Sequence, residues 1–323
     1  MGDDDLAAGV RRGDRRSLAR AITLVESQHR DQRATAVALL DELLGDTGGA
    51  TRVAISGPPG VGKSTLIESL GMHVIGHGHK VAVLAIDPSS VRTGGSVLGD
   101  KTRMELLARD PSAYIRPSPS SGALGGVARR TREAMLLCEA AGFDVVIVET
   151  VGIGQSEVEV DAMVDTFVLL INPGGGDELQ GIKRGVVELA DVVAVTKADG
   201  DLLGAAQRTA ADYRNALHLM RPRNEAWTTP ILLTSAANGS GIDDVWAAVL
   251  EHQATLEQSG ELAERRAAQA RSWFWSEVRE EVLRDLLADP ALATEADTLE
   301  RDVTAGKISP TAAARRLLDL REG

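Results

Sequence analysis

The chain is poor in cysteine, in positive charge and in aromatic residues. One cysteine, Cys138, in 323 residues rules out an intrachain disulfide and a metal cage built from thiolates alone. Cys138 closes the apolar run Ala134-Met135-Leu136-Leu137-Cys138, which predicts a buried helix position rather than a reactive thiol. Acidic residues outnumber basic ones by 47 to 35, for a formal net charge of −12. Nucleic acids favour basic surfaces, so none is expected as a partner. No apolar run approaches the roughly 20 residues that span a bilayer. The opening Met1-Gly2-Asp3-Asp4-Asp5 lacks the basic and apolar regions of a secretion signal, and Leu6 stands where a myristoylation signal needs Ser or Thr. The expectation is a soluble, cytoplasmic protein with no membrane partner. Only nine residues are aromatic, and three of them stand together as Trp273-Phe274-Trp275.

Hydrophobic residues make up 43% of the chain, enough for a sizeable core. Residues 1–50 show helical spacing, in the sets Leu18, Ile22, Leu24, Val25 and Val37, Leu39, Leu40, Leu43, Leu44. They read as an N-terminal helical arm too small to hold its own core, closed by the linker-like Gly45-Asp46-Thr47-Gly48-Gly49. From residue 51 to 250 strands and helices alternate. The runs 52–56, 81–86, 144–148, 166–171, 191–196 and 230–234 are continuously apolar or nearly so, as buried parallel strands are. Residues 251–323 return to helix, with one long charged helix expected from Leu256 to Leu287, a break at Asp289-Pro290 and a closing helix after Ser309-Pro310. The predicted class is α/β, with a mostly parallel sheet flanked by helices and helical additions at both ends.

The most specific local pattern is Gly57-Pro58-Pro59-Gly60-Val61-Gly62-Lys63-Ser64-Thr65, a full match to G-x-x-x-x-G-K-[ST] between a strand and a helix. Such a loop turns backbone N–H groups onto a phosphate, with the helix N-terminus behind it. Lys63 adds a charge for the β- and γ-phosphates, and Ser64 is placed to ligate Mg²⁺. Three further strand ends carry polar chemistry. Glu149-Thr150-Val151-Gly152 offers a carboxylate for the metal side and a backbone N–H, at Gly152, for a γ-phosphate. Asp87-Pro88-Ser89-Ser90 places Asp87 as a metal-side carboxylate, an orienter of water, or the start of an Asx turn. Thr196-Lys197-Ala198-Asp199 resembles the base-reading pattern Asn-Lys-x-Asp, in which the Asp accepts two hydrogen bonds from guanine and the Lys stem packs on its face. Thr196 replaces the Asn, and Ser235-Ala236 fits the companion loop that meets the guanine oxygen. The expected ligand is GTP or GDP with Mg²⁺.

Several longer runs carry a resemblance to a known family. Asp87-Pro88-Ser89-Ser90, the stretch Gly94 to Met104, Ser121 to Gly126, Glu149 to Glu157 and Pro173 to Lys183 are similar to MeaB-type proteins, roughly from residue 15 to the end. The resemblance implies a SIMIBI-class P-loop GTPase that chaperones adenosylcobalamin-dependent methylmalonyl-CoA mutase, gating cofactor loading and the release of damaged cofactor. It implies a homodimer through C-terminal helices; the Trp273-Phe274-Trp275 cluster suits either that interface or packing within the chain. It carries over Lys63, Ser64 and Thr65 as phosphate and Mg²⁺ residues. It places Asp87, Asp100 and Arg103 in the first switch regions, Glu149, Gly152 and Gln155 in the next, and Gln180 and Lys183 in a third. Arg103 or Lys183 then supplies charge to the transition state, or each is a solvated surface charge.

Two other classes compete. A GTP-dependent metallochaperone would need Cys/His ligands near the switches, whereas Cys138 is alone and His73 and His77 suit an ordinary helix end. A transport-associated ATPase or kinase would need a second substrate pocket, and none is legible.

Overall fold

The apolar runs form the sheet because each is buried on both faces. We describe a computed structural model over residues 3–27, 29–87, 104–119, 124–150, 156–174, 184–220, 223 and 226–322. Among these residues the strands are β1 (Thr51–Ser56), β2 (Val81–Asp87), β3 (Ala113–Pro119), β4 (Val145–Thr150), β5 (Thr166–Ile171), β6 (Val192–Val195) and β7 (Ile231–Leu233). They pair in the order β3-β2-β4-β1-β5-β6-β7, and every pairing is parallel. The register aligns Ile55 of β1 with Glu149 of β4 and Val168 of β5. β3 was not among the expected strands. Its sequence Ala-Tyr-Ile-Arg-Pro-Ser-Pro carries two prolines, which a strand tolerates at a sheet edge, where one side has no ladder to complete.

Side chains alternate across the sheet. Val53, Ile55, Ile147, Val168 and Leu170 join a single cluster on one face with helices α4 (Lys63–Gly76) and α10 (Ile242–Ser259), numbered among the described helices. Helix α6 (Leu124–Ala140) lies against β2, β3 and β4, and α7 (Ser156–Asp161) against β1 and β4. Cys138 is fully buried on α6, and burial pushes its thiol well above the reactive range.

The first residues form α1 (Asp3–Arg11), α2 (Arg15–Glu26) and α3 (Arg30–Leu43). Asp14 caps α2 by accepting from the Ser17 N–H at 2.9 Å and the Ser17 hydroxyl at 2.7 Å, and these bonds lower its carboxyl below the usual range. Leu18, Ile22, Val25, Leu39 and Leu43 are buried. These helices find their core against α6. Val37 and Leu44, expected on the same apolar stripe, are instead 49% and 61% exposed. The remaining described helices are α5 (Glu105–Arg109), α8 (Arg184–Val187), α9 (Leu203–His218), α11 (Glu261–Ala288), α12 (Pro290–Thr304) and α13 (Pro310–Glu322).

The single helix expected over 256–287 is two helices. Gly260, at φ 80°, ends α10 in the left-handed conformation that glycine adopts without strain, and α11 starts at Glu261. Asp289 accepts from the Ala291 N–H at 2.8 Å and caps α12, with Pro290 at its first position. By its contacts the chain divides into units Met1–Ala267 and Ala268–Gly323. In the second, α12 packs on α13, burying Leu299 and Ala313. Phe274 and Trp275 of α11 are 58% and 54% exposed, with ring centroids 5.2 Å apart.

Buried charge in the first unit is paired. Arg52 meets Glu139 at 2.6 Å, and Arg266 meets Asp165 at 2.7 Å. Asp191 receives the Phe167 N–H at 2.8 Å and lies within 3.8 Å of Arg223 and 3.6 Å of Arg265. Burial raises its carboxyl to about 6, against the pull of Arg265 and Arg223. Burial, and then the same two arginines, push His252 down to about 4. His252 is therefore neutral at pH 7, and its Nε2, 3.5 Å from Asp191 Oδ1, makes a polar contact rather than an ion pair. The two groups act oppositely on stability. The His252 contribution is present above its ordinary 6.5 and lost as pH falls through about 4. The Asp191 contribution is present below its ordinary 3.8 and lost as pH rises through about 6. Replacing His252 with Gln should leave only the second. Chemical unfolding of parent and variant should then give a stability difference that shrinks by about 3 kcal/mol from pH 7 to pH 4. A difference independent of pH would contradict the neutral assignment.

Candidate functional site

A parallel sheet sends every strand's carboxyl end to one edge, and here β1, β4, β5, β6 and β7 each deliver a predicted or newly found polar group to it. The loop after β1 approaches the sheet so closely that a Cβ at Gly57 would lie 2.7 Å from the Leu170 carbonyl oxygen of β5 and 3.1 Å from Val61 Cγ1. Gly60 (φ 76°) and Gly62 (φ 98°) then turn the backbone through conformations that other residues rarely adopt. Pro58 is half-buried, Pro59 exposed and Val61 fully buried, so one valine anchors an otherwise open loop. Gly62 accepts from the Leu66 N–H at 2.9 Å and opens α4 without a side-chain cap. That leaves the helix start available to an anion. Lys63 is 9% exposed, and its ammonium donates to the Gly57 carbonyl at 2.8 Å and the Pro58 carbonyl at 3.1 Å. It folds back over the hollow of its own loop, a position from which a phosphate oxygen can take over those bonds.

Ser64 and Glu149 come together as expected. The Ser64 hydroxyl, in the first turn of α4, donates to Glu149 Oε1 at 3.1 Å, and Glu149 is 4% exposed on β4. A hydroxyl and a carboxylate side by side are the hard oxygen donors that Mg²⁺ takes. Thr65, the next residue, is exposed. Beneath the pair, the Thr150 hydroxyl donates to the buried Ser56 hydroxyl at 2.8 Å, joining the ends of β4 and β1. Asp87 closes β2, one residue past the Ile86–Thr150 pairing, and its backbone alone is described.

The segment expected to read the base, Thr196 to Asp199, lies beyond β6. The Ser235 hydroxyl donates to Asp199 Oδ2, which fixes the orientation of that carboxylate. The Ser235 N–H donates to the Ser240 carbonyl at 2.9 Å, and the Ala236 carbonyl accepts from Ser69 of α4 at 3.4 Å, so this loop is tied back to the phosphate-loop helix. Lys197 is the non-glycine residue with left-handed backbone (φ 53°) among those described. Its ammonium donates to the Gly60 carbonyl at 2.6 Å and to Asn172 Oδ1 at 3.3 Å. Asn172, just past β5, was missed from the sequence; its place at a strand end on this edge was the available signal. Thr196 takes the place of the Asn in that pattern. It is 4% exposed and donates to the Val61 carbonyl of the phosphate loop at 2.7 Å. Asp100, Arg103, Gly152, Gln155, Gln180 and Lys183 lie outside the described residues.

Away from this edge, the rings of His73 and His77 lie 4.5 Å apart, tilted by 46°, at the C-terminal end of α4, and His77 Nδ1 sits 2.9 Å from the His73 carbonyl. Among the described residues no group of three or more His, Cys, Asp or Glu gathers as a metal site, and no helix is long and apolar enough to cross a membrane.

Comparison with known proteins relates the chain to a family. The model of the methylmalonyl-CoA mutase-associated GTPase MeaB matches residues 18–291. A putative GTPase of Caulobacter vibrioides is 54% identical over 98% of this chain and 96% of its own length. The mitochondrial methylmalonic aciduria type A homolog of Mus musculus is 49% identical over 98% of this chain and 78% of its own. A solved structure described as an LAO/AO transport system kinase superposes with a TM-score of 0.76 at 38% identity, covering 99% of this chain and 98% of that one.

The fixed carboxylate makes a direct prediction. Asp199→Asn puts an amide donor against the guanine N–H groups, and the preference for GTP over ATP in competition binding should fall by about 1–3 kcal/mol. An unchanged preference would remove Asp199 from base recognition.

Proposed function

This chain belongs to the MeaB family of methylmalonyl-CoA mutase-associated GTPases, and we propose that its GTP hydrolysis times the loading of adenosylcobalamin into methylmalonyl-CoA mutase. The observation that carries the reading is the meeting on one sheet edge of the Lys63 loop, the Ser64–Glu149 pair and the Asp199–Ser235 pair. The first suits phosphates, the second a divalent cation and the third a guanine ring.

Lys63 and the loop N–H groups would hold the β- and γ-phosphates. Ser64 and Glu149 would hold Mg²⁺, which supplies charge to neutralise the phosphate oxygens. Water attacks the γ-phosphoryl in line, and the protein contributes positioning and electrostatic stabilisation. Asp87, Asp100, Arg103, Gly152, Gln155, Gln180 and Lys183 are assigned to the segments that sense the γ-phosphate and the partner, with Arg103 or Lys183 supplying positive charge when the mutase engages. Intrinsic turnover should then be slow, of the order of 10⁻⁴–10⁻² s⁻¹, and faster with the mutase. A transport or kinase role is less well supported, because the residues at this edge suit a nucleotide and no second substrate.

The protein is assigned to the cytoplasm and to a homodimer. Phe274 and Trp275 support the second assignment, since two large aromatic side chains on α11 are more than half exposed.

Lys63→Ala should lower kcat/KM for GTP by about 10²–10³-fold, with the native fold kept. Hydrolysis at the parental rate would remove the catalytic assignment, and a rate unmoved by methylmalonyl-CoA mutase would remove the partner. A Phe274→Glu, Trp275→Glu double variant should sediment as a monomer at concentrations where the parent is a dimer; a dimeric variant would place the interface elsewhere.

A further inference from the structure

β7 ends the sheet, and its outer side has no ladder to complete. In a parallel pair, alternate residues turn their backbone groups to the neighbouring strand. The Val193 N–H donates to the Pro230 carbonyl at 3.0 Å, and the Thr234 N–H to the Val195 carbonyl at 2.8 Å. Residues 230, 232 and 234 therefore face β6, and Ile231 and Leu233 face outward. Among the described residues nothing bonds to the Ile231 N–H, the Ile231 carbonyl or the Leu233 N–H. Gly241 backs onto the Leu233 carbonyl, where any side chain would collide, and closes the far end of this edge. Backbone groups of this kind require a partner when they are covered.

A hollow lies on each side of the strand. One, of about 670 Å³, is lined by Val187, Leu217, Met220 and Ile231, and by the exposed Arg214 and His218 of α9. The other, of about 460 Å³, is lined by Leu232, Ala247 and Ala248, and by the exposed Asp244 and Glu251 of α10. Neither of these carboxylates has an ion pair among the described residues. Ile231 and Leu232 thus open onto opposite hollows, as the pleat of a strand requires. Trp227 lines both, and its Nε1 donates to the Asp191 carbonyl at 2.8 Å. A short edge strand beside a proline discourages indiscriminate pairing, and β7 has three residues after Pro230. Selectivity then falls to the hollows.

We propose that β7 is a docking edge for an extended segment of another protein, which adds to the sheet as a further strand. Side chains of that segment alternate, apolar toward α9 and Lys or Arg toward Asp244 and Glu251. Bonds to the backbone of Ile231 and Leu233 supply affinity, and the two hollows supply sequence preference. This edge is separate from the strand ends that carry the nucleotide groups, and the proposal does not rest on the nucleotide reading.

The probe is the capped peptide acetyl-Leu-Lys-Leu-Lys-Leu-amide, added to the full chain. Without it, the Ile231 and Leu233 amides should exchange with solvent about tenfold faster than that of Leu232, or more. With it they should slow by about the same factor, and the Trp227 indole N–H resonance should shift saturably. The double variant Asp244→Lys, Glu251→Lys reverses two exposed charges and leaves the edge backbone in place. It should weaken this peptide about tenfold and strengthen acetyl-Leu-Glu-Leu-Glu-Leu-amide. Of two probe peptides N-methylated at alternate residues, only the one that keeps its N–H groups toward β7 should bind the parent. Equal binding of both would exclude strand addition, and parental affinity in the charge-reversed variant would remove the α10 hollow from recognition. No change at Ile231, Leu233 or Trp227 under saturating peptide would overturn the proposal. Protection of Ile231 and Leu233 that needs no peptide and rises with protein concentration would overturn it too, by making the occupant a second copy of this chain.

Discussion

Everything functional in this chain depends on a seven-stranded parallel sheet that brings its strand ends to one edge. Parallel pairing demands a covering layer on each face, and the chain meets that demand with strands apolar on both sides and helices on both sides. The carboxyl ends of the strands are then the places where backbone leaves the sheet and polar side chains become affordable. Gly57, Glu149, Asn172, Thr196 and Ser235 all follow from that one constraint, though they are spread over almost 180 positions.

The edge is also internally braced. Ser69 reaches Ala236, Lys197 reaches Gly60, Thr196 reaches Val61 and Thr150 reaches Ser56. These bonds run between segments distant in sequence, and each ends on the phosphate loop, on the helix that follows it or on the strand that precedes it. A loop rich in glycine is entropically costly to order, and ties of this kind offset part of that cost. The loop after β1 and the segments after β6 and β7 are therefore tied to one another.

The candidate site was more legible in the sequence than the periphery. A motif such as Gly57 to Thr65 is legible because its chemistry restricts residue type at fixed spacing, and the same holds for Glu149 and Asp199. Relations across the fold were not legible. Nothing in the chain order announces that Thr196 meets Val61, or that Asn172 meets Lys197, because those contacts depend on strand order. β3 escaped notice because an edge strand need not look like a buried one; its Arg116 instead pairs with Glu26 of α2. The break at Gly260 escaped because charged helical spacing continues on both sides of it, and one left-handed residue ends a helix without disturbing the pattern around it. Val37 and Leu44 are exposed because a short arm packed against α6 buries a narrower stripe than its sequence offers.

The central claim is that this edge is a preassembled Mg²⁺–guanine nucleotide site. Calorimetric titration of the native chain with GDP and with ADP, each with and without Mg²⁺, tests it most directly. The account predicts one GDP site per chain, tightened by Mg²⁺, with ADP weaker by at least about tenfold. Equal binding of the two nucleotides, or GDP binding indifferent to Mg²⁺, would contradict it.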